Sequence, residues 1–208
     1  MKVHRRAVSP SQLEVIRRLQ PLLARRSFYL GGGTALALRL GHRRSVDLDF
    51  FCEGPLSDPL GLAAEARECA PFSVERVEPG TLHGSVSRVR VSFIEYRYAL
   101  LKPLTTLAGL GAAIASLEDL ACMKLAAIAQ RGAKKDFLDL FALGRHFSLH
   151  EMLAFYARRY RIRDWGHLLF ALASFDDADR QRTPRLLASP PWPEVKAAIR
   201  RWVSEASR

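Results

Sequence analysis

Hydrophobic and polar positions alternate along the first hundred residues with two periods, one helical and one typical of strands. Ser9 can cap a first helix and Pro10 suits its first turn; an apolar stripe at helical spacing follows, made of Leu13, Ile16, Leu19 and Leu23. Pro21 falls within this stripe, so we expect it to bend or end the helix. The remaining patterns predict strands over 28–30, 46–51, 72–77 and 87–98, and helices over 35–40 and 60–69.

Beyond Pro103 the hydrophobic spacing is helical. It predicts helices over 116–130, 135–143, 149–160, 165–174 and 194–205, with a polar, proline-containing loop over 180–193. We therefore predict an α+β fold, in which a small mixed-sheet core (residues 1–102) is followed by a helical half (residues 103–208).

The composition is that of a folded domain, since 49% of the 208 residues are hydrophobic and no uncharged stretch is long enough to span a bilayer. No apolar segment follows the charged start, so a signal peptide is not expected. The cysteines, Cys52, Cys69 and Cys122, have no CxxC spacing and fit reduced thiols. We therefore predict a cytoplasmic protein that does not engage a membrane.

The formal net charge of +11 is the first indication of a partner. A basic excess of this size favours an anionic ligand such as a nucleic acid, a nucleotide or an acidic protein. Ordinary surface solubility explains the same charge, so the charge alone does not choose between these interpretations. Arginines recur between positions 158 and 163, where they form either an electrostatic surface or a solvated helix end.

Three glycines and a threonine, Gly31-Gly32-Gly33-Thr34, join the first predicted strand to the next predicted helix. Glycine lets the backbone approach a ligand closely, and a helix N terminus offers free N–H groups and the positive end of its dipole. The segment therefore suits a phosphate cradle, although a plain tight turn would use the same residues. It is not a Walker loop, because no Gly-Lys-Ser/Thr sequence follows.

Two aspartates, Asp47 and Asp49, lie two positions apart in the second predicted strand. Residues at this spacing share one face of a strand, so the two carboxylates point the same way. Such a pair can hold Mg²⁺, which prefers oxygen ligands and is usually bound by one or two carboxylates together with substrate phosphates. The alternative is a solvent-facing edge strand that carries two spare acidic residues.

Lys124 interrupts an otherwise apolar face of a predicted helix. Such a lysine either extends along the surface into solvent or points into a cleft. Asp136 and Asp139 follow, one turn apart, near the start of the next predicted helix, where acidic residues suit the helix dipole. Helix capping is the simplest interpretation of these two aspartates.

These segments together resemble a known protein family. The segments 29–38 (YLGGGTALAL) and 41–51 (GHRRSVDLDFF), followed by Lys124 and by 135–140 (KDFLDL), resemble the AbiEii/AbiGii-type nucleotidyltransferases in order and spacing. That family belongs to the DNA polymerase beta-like superfamily and includes toxins of type IV toxin–antitoxin systems. The resemblance covers about residues 28–141 and implies a nucleotidyltransferase core, with a variable C-terminal third.

The resemblance also implies roles for single residues. Nucleotide binding would fall to Gly32, Gly33, Thr34, Ser45 and Lys124. Asp47 and Asp49 would bind Mg²⁺, and with Lys124 and Asp136 they would form the catalytic group. His42 and Arg43 match the family pattern without an assigned role.

One position departs from the superfamily pattern. Members often carry a third carboxylate on the strand beside the aspartate pair, and here we expect Ser92 at that position, while Glu95 has the opposite strand parity. The identity of a general base is therefore open.

The implied activity is Mg²⁺-dependent transfer of a nucleoside monophosphate from an NTP to a hydroxyl group. The acceptor would be an RNA 3′ end, such as that of tRNA, or a protein, and the basic charge favours RNA. The alternatives are a catalytically weakened nucleotide- or nucleic-acid-binding module, and a protein whose basic helices bind an acidic antitoxin.

Overall fold

The computed structural model describes residues 3–188 and 190–206. A seven-stranded mixed sheet runs through the described residues in the order β3-β4-β5-β2-β1-β7-β6. Two neighbouring pairs are parallel, β2 with β5 and β1 with β7, and the other pairs are antiparallel. The strands are β1 Tyr29–Leu30, β2 Leu48–Cys52, β3 Phe72–Glu78, β4 Thr81–Val86, β5 Val89–Glu95, β6 Thr105–Thr106 and β7 Ala113–Ile114.

Helices surround this sheet and make up most of the second half of the chain. They are α1 Pro10–Arg25, α2 Gly32–Leu40, α3 Pro59–Cys69, α4 Leu117–Arg131, α5 Lys134–Leu143, α6 Leu149–Tyr160, α7 Gly166–Ala173, α8 Asp176–Arg180 and α9 Trp192–Ala206. The predicted α+β class is therefore confirmed. Among the described residues, no helix is long and apolar enough to cross a membrane.

The core lies between the sheet and the helices. Three phenylalanines surround the buried ring of Phe93, whose centroid lies 5.0 Å from that of Phe28, 5.8 Å from Phe72 and 5.9 Å from Phe50. Phe93 lies on β5, Phe72 on β3 and Phe50 on β2, and Phe28 directly precedes β1. The aromatic cluster therefore joins strands that are distant in sequence, and it fixes the level at which β2 and β5 pair.

We expected the first helix to bend or end at Pro21, but it continues to Arg25. Pro21 is exposed, so the backbone carbonyl that loses its hydrogen bond faces solvent and can be hydrated. Ser9 caps this helix as predicted, and its side chain and that of Gln12 form a capping box.

The pattern-based prediction missed three strands and one helix. β4 was absent from it, as were the two-residue strands β6 and β7 and the short polar helix α8. Because β6 and β7 extend the sheet past residue 102, the segment that follows Pro103 is not purely helical. The division into domains at residue 102 stays a prediction, and the sheet continues across it.

The helical half is built on α4, which packs against α5, α6 and α7. This helix also contacts α2, the helix that follows the glycine segment. Residues of α4 and α5 are thereby brought to the same end of the sheet as the first residues of α2 and β2.

Candidate active site

A cavity of about 690 Å³ opens where the N terminus of α2 meets the start of β2, the strands β4 and β5, and α4. Most residues singled out from the sequence line it, namely Gly32, Gly33, Ser45, Asp47, Asp49, Ser92 and Lys124. Thr34 and Asp136 lie behind the wall, as described below. A second cavity of about 640 Å³ opens near the other end of β2, around Cys52 and Leu56, and contains none of these residues.

The glycine segment is the first turn of α2, which begins at Gly32 rather than near residue 35. Gly32 has φ +60°, and a β-carbon there would lie 3.1 Å from Asp49 Oδ2. A β-carbon on Gly33 would lie 2.6 Å from Arg43 Nη2. Glycine therefore allows a carboxylate and a guanidinium to lie directly against the helix start.

Thr34 is buried and does not line the cavity. Its hydroxyl donates to the backbone carbonyl of Asp47 and lies 2.8 Å from Ser45 Oγ. It thus joins α2 to the chain immediately before β2. This contact fixes the position of Asp47, whereas Ser45 remains accessible from the cavity.

The two aspartates share the cavity. Asp47 precedes β2 and Asp49 lies within it, and Asp47 Oδ1 forms an ion pair with Arg90 Nη2 at 2.7 Å. Burial and, after it, the charge of Asp47 raise the pKa of Asp49. Lys124, Lys135 and a hydrogen bond from Ser92 lower the pKa of Asp49, but they do not offset the effect of burial and of Asp47.

Lys124 points into a cluster of buried charges. Its Nζ lies 3.0 Å from Asp136 Oδ1 and 2.7 Å from Asp139 Oδ2, and the residue is only 3% exposed. Arg131 also binds Asp136, through Nε at 2.9 Å and Nη2 at 3.1 Å. Lys124 therefore points into the cleft and does not extend along the surface into solvent. Two of the three ammonium donors are directed at the carboxylates.

Asp139 is the centre of this cluster. It accepts two hydrogen bonds from Arg43, at 2.7 and 2.8 Å, and lies 2.6 Å from His42 Nε2. Burial alone would raise the pKa of Asp139, but Lys124 and Arg43 hold it well below its usual range. Neither aspartate caps α5, whose N-cap is Ala133, although Asp136 does lie in the first turn; both carboxylates are buried and engaged in ion pairs. Arg43 and His42 belong to the same cluster.

Ser92 lies opposite Asp49 in the register of β2 and β5, as expected from the sequence. Glu95 does not replace a carboxylate there. Its Oε2 accepts the backbone N–H of Leu56 at 2.8 Å, and the residue does not line the cavity. The sequence analysis did not identify His83, which lines the cavity and lies with Nδ1 3.1 Å from Ser92 Oγ.

The C-terminal segment 181–188 forms one wall of the cavity, which the sequence analysis also missed. Its backbone pairs with the residues before the aspartates: Arg44 N–H donates to Arg185 O at 2.8 Å, and Leu187 N–H donates to His42 O at 2.9 Å. Gln181 anchors the start of the segment by accepting from the backbone N–H of Lys134 at 3.0 Å. Arg185 thereby comes to lie on the cavity wall beside Arg44.

Solved structures with a similar fold include nucleotidyltransferases. A putative nucleotidyltransferase from H. pylori aligns with a TM-score of 0.59 at 17% identity, covering 97% of this chain and 94% of its own. MenT4, a nucleotidyltransferase toxin from Mycobacterium tuberculosis H37Rv, gives 0.58 at 17% identity, covering 93% and 80%. The antibiotic-resistance factor ANT(2'')-Ia gives 0.55 at 15% identity, covering 73% and 91%. The fold is therefore that of a nucleotidyltransferase.

Sequence comparison is more specific. Residues 15–100 match the family described as nucleotidyl transferase AbiEii toxin, type IV TA system. Over 204 residues the chain is also 36% identical to the uncharacterised protein aq_aa25 of Aquifex aeolicus (strain VF5), covering 96% of this chain and 98% of that one. The part of the chain from residue 15 to residue 100 therefore belongs to the AbiEii nucleotidyltransferase toxin family, as the motifs predicted.

Proposed function

We propose that this nucleotidyltransferase moves a nucleoside monophosphate from an NTP to a hydroxyl of RNA, such as the 3′ end of tRNA, in the presence of Mg²⁺. The observation that supports this most directly is the cavity, which combines a glycine-rich helix start, an aspartate pair and exposed cations. The catalytic contribution of such a site is positioning of the reactants and neutralisation of charge.

Asp47 and Asp49 are suited to hold the metal ion. Both are carboxylates on one wall of the cavity, and the raised pKa of Asp49, caused by burial and by Asp47, is the cost that a nearby cation would remove. Among the described residues no cluster of three or more potential ligands is found, which fits an ion that takes its other ligands from water and substrate phosphates. When bound, Mg²⁺ would neutralise charge on the phosphates.

The protein's own groups would hold the triphosphate. Gly32 and Gly33 line the cavity at the start of α2, where the first N–H groups of a helix have no partner within the helix, and Ser45 adds a hydroxyl. Lys124 directs two donors at aspartates, which leaves the third for a phosphate oxygen. Asp136 would act by orienting this lysine, since it lies behind Lys124 and not on the cavity wall.

An RNA acceptor is favoured by three exposed cations on the cavity wall, Arg44, Lys135 and Arg185. In the described part of the chain, none of their side chains forms an ion pair or hydrogen bond with another side chain. The other lysine and arginine side chains on the cavity wall are engaged, Arg43 by Asp139, and Lys124 and Arg131 by Asp136. Unpaired cations beside the aspartates offer contacts to a phosphate backbone.

The test is incubation of the full chain with each NTP labelled at its α-phosphate, Mg²⁺ and total tRNA. We expect labelled RNA, and we expect Asp47→Asn, Asp49→Asn or removal of Mg²⁺ to abolish the label. Asp164→Asn is the matched control, because Asp164 is exposed and does not line the cavity, and it should label normally. Full labelling by Asp49→Asn would reject the metal site, and label on protein rather than RNA would reject the acceptor.

A catalytically weakened binding module is the second candidate, and Ser92 is the observation that favours it. In that case nucleotide and Mg²⁺ would raise the unfolding temperature without any transfer of label. Family membership also leads us to propose a cognate antitoxin as partner, which coexpression with the product of the neighbouring gene would test by its effect on labelling.

A further inference from the structure

The strand position that faces Asp49 is occupied by a serine, and this serine is paired with a histidine. Asp49 on β2 lies opposite Ser92 on β5, and Ser92 lies opposite His83 on β4. The three side chains therefore stand at one level across three adjacent strands. All three line the cavity.

The imidazole of His83 lies between Ser92 and Glu78. Its Nδ1 lies 3.1 Å from Ser92 Oγ, and its Nε2 lies 3.5 Å from Glu78 Oε2 on β3. Arg76, the residue opposite His83 on β3, binds the other oxygen of Glu78 at 3.2 Å. In the tautomer with its proton on Nε2, facing Glu78, Nδ1 accepts from the hydroxyl of Ser92, which also lies within hydrogen-bond reach of Asp49.

Other candidates for a proton acceptor in the described part of the cavity are occupied. Glu95 is turned away toward the backbone of Leu56. Asp47 and Asp49 are reserved for the metal ion in the proposed function. Burial would lower the pKa of Lys124, but Asp139 and Asp136 raise it, so this lysine keeps its proton.

We propose that Ser92 and His83 together take the place of the absent third carboxylate and remove the proton of the acceptor hydroxyl. This inference rests on the proposed transfer reaction. As the acceptor oxygen bonds to the α-phosphorus, its proton passes to Ser92 Oγ, and the proton of Ser92 passes to His83 Nδ1. The bond from the α-phosphorus to the pyrophosphate oxygen breaks, and its electron pair leaves with pyrophosphate. Glu78 stabilises the resulting imidazolium.

The experiment compares His83→Gln and Ser92→Ala with the unaltered chain. Both variants should lower kcat for transfer to RNA by roughly a factor of 100 or more, while the affinity for NTP with Mg²⁺, measured by calorimetry, stays the same. His150→Gln is the control, because His150 is exposed on α6 and lies outside the cavity. It should transfer at the normal rate.

A rescue separates this role from a structural one. Ser92→Asp restores a carboxylate beside Asp49, so the double variant Ser92→Asp/His83→Gln should recover most of the rate that His83→Gln loses. A structural histidine would not be replaced in this way. Circular dichroism verifies that each variant is folded. If the variants that contain Ser92→Asp do not fold, Ser92→Ala provides the test.

The results distinguish a failure of the Ser92–His83 relay from a failure of the proposed function. An unaltered rate in His83→Gln, loss of NTP affinity in that variant, or no recovery in the folded double variant overturns the Ser92–His83 relay alone. If the unaltered chain binds nucleotide but transfers nothing to any acceptor, the proposed function falls and the relay falls with it.

Discussion

Single residues decide how closely the start of α2 approaches its neighbours. Gly33 lies so near the Arg43 guanidinium that a β-carbon would stand 2.6 Å from Nη2. That guanidinium is buried and holds both oxygens of Asp139, so it cannot swing into solvent without leaving a buried carboxylate short of partners. The glycine is therefore required for the packing of the charge cluster, in addition to its proposed role in binding phosphate.

Gly33→Ala should lower the free energy of unfolding by about 1–3 kcal/mol, because the added methyl group overpacks the site. It should also weaken NTP binding. Urea denaturation and calorimetry measure the two effects. Gly54→Ala is the control, since a β-carbon at Gly54 meets nothing within 4 Å. Equal stability of the two variants would show that Arg43 moves aside freely.

At the scale of elements, a buried ion pair joins α4 to α6. Arg159 Nη1 lies 2.6 Å from Asp119 Oδ1, and neither side chain is exposed. Asp119 also accepts from Ser116 Oγ at 2.6 Å and from the backbone N–H of Leu101 at 2.8 Å. One carboxylate thus fixes the start of α4, the end of α6 and the segment before β6.

Arg159→Met should destabilise the fold by about 3–5 kcal/mol, because it leaves the Asp119 carboxylate buried without its counter-charge. Thermal or urea unfolding measures this loss. Arg158→Met removes the same charge from the neighbouring, exposed position and should change stability little. Similar losses in the two variants would mean that the pair is not a determinant of stability.

The helices could be predicted better than the strands, for physical reasons. α6 was predicted with its observed bounds, since its apolar stripe and the cap at Ser148 are local signals. β4 was missed because one of its buried positions is Gly84, where a β-carbon would lie 2.3 Å from Phe72 Cζ. The small residue that admits the phenylalanine ring removes the hydrophobic alternation. β6 and β7 are too short to show a period.

The residues of the candidate site also differ in how well the sequence predicts them. Motif residues such as Asp47, Asp49 and Lys124 were found because their local spacing carries information, and they do meet in one cavity. His83 and Arg185 could not be found, because their approach depends on the pairing of β4 and on a loop far along the chain. The functional roles assigned to the motif residues stay predictions.

At the scale of the whole molecule, the cations that give the net charge of +11 are not equally available to a ligand. Many arginines are paired with acids, such as Arg17 and Arg18 with Glu14. Arg44 and Arg185 are exposed, unpaired in the described chain and adjacent across a backbone hydrogen bond. Local availability of cations, more than total charge, should therefore govern RNA binding.

Arg44→Gln and Arg185→Gln should each weaken RNA binding and reduce its dependence on salt, with the slope of log K against log salt falling by about 0.7 for each lost phosphate contact. Fluorescence anisotropy at several salt concentrations measures both. Arg163→Gln removes the same charge from an exposed position outside the cavity. An equal effect of Arg163→Gln would reduce the result to net charge, and a loss of NTP affinity would assign the pair to the triphosphate.

The wall formed by residues 181–188 also determines when the cavity is completed during synthesis of the chain. A ribosome adds about 5–20 residues per second, so Asp49 is made about 7 to 27 seconds before Arg185. During that interval a nascent chain carries the aspartate pair but lacks the backbone that covers residues 42–44. The complete cleft exists only once residues 181–188 have emerged, and a polypeptide cut short before residue 181 is without this wall.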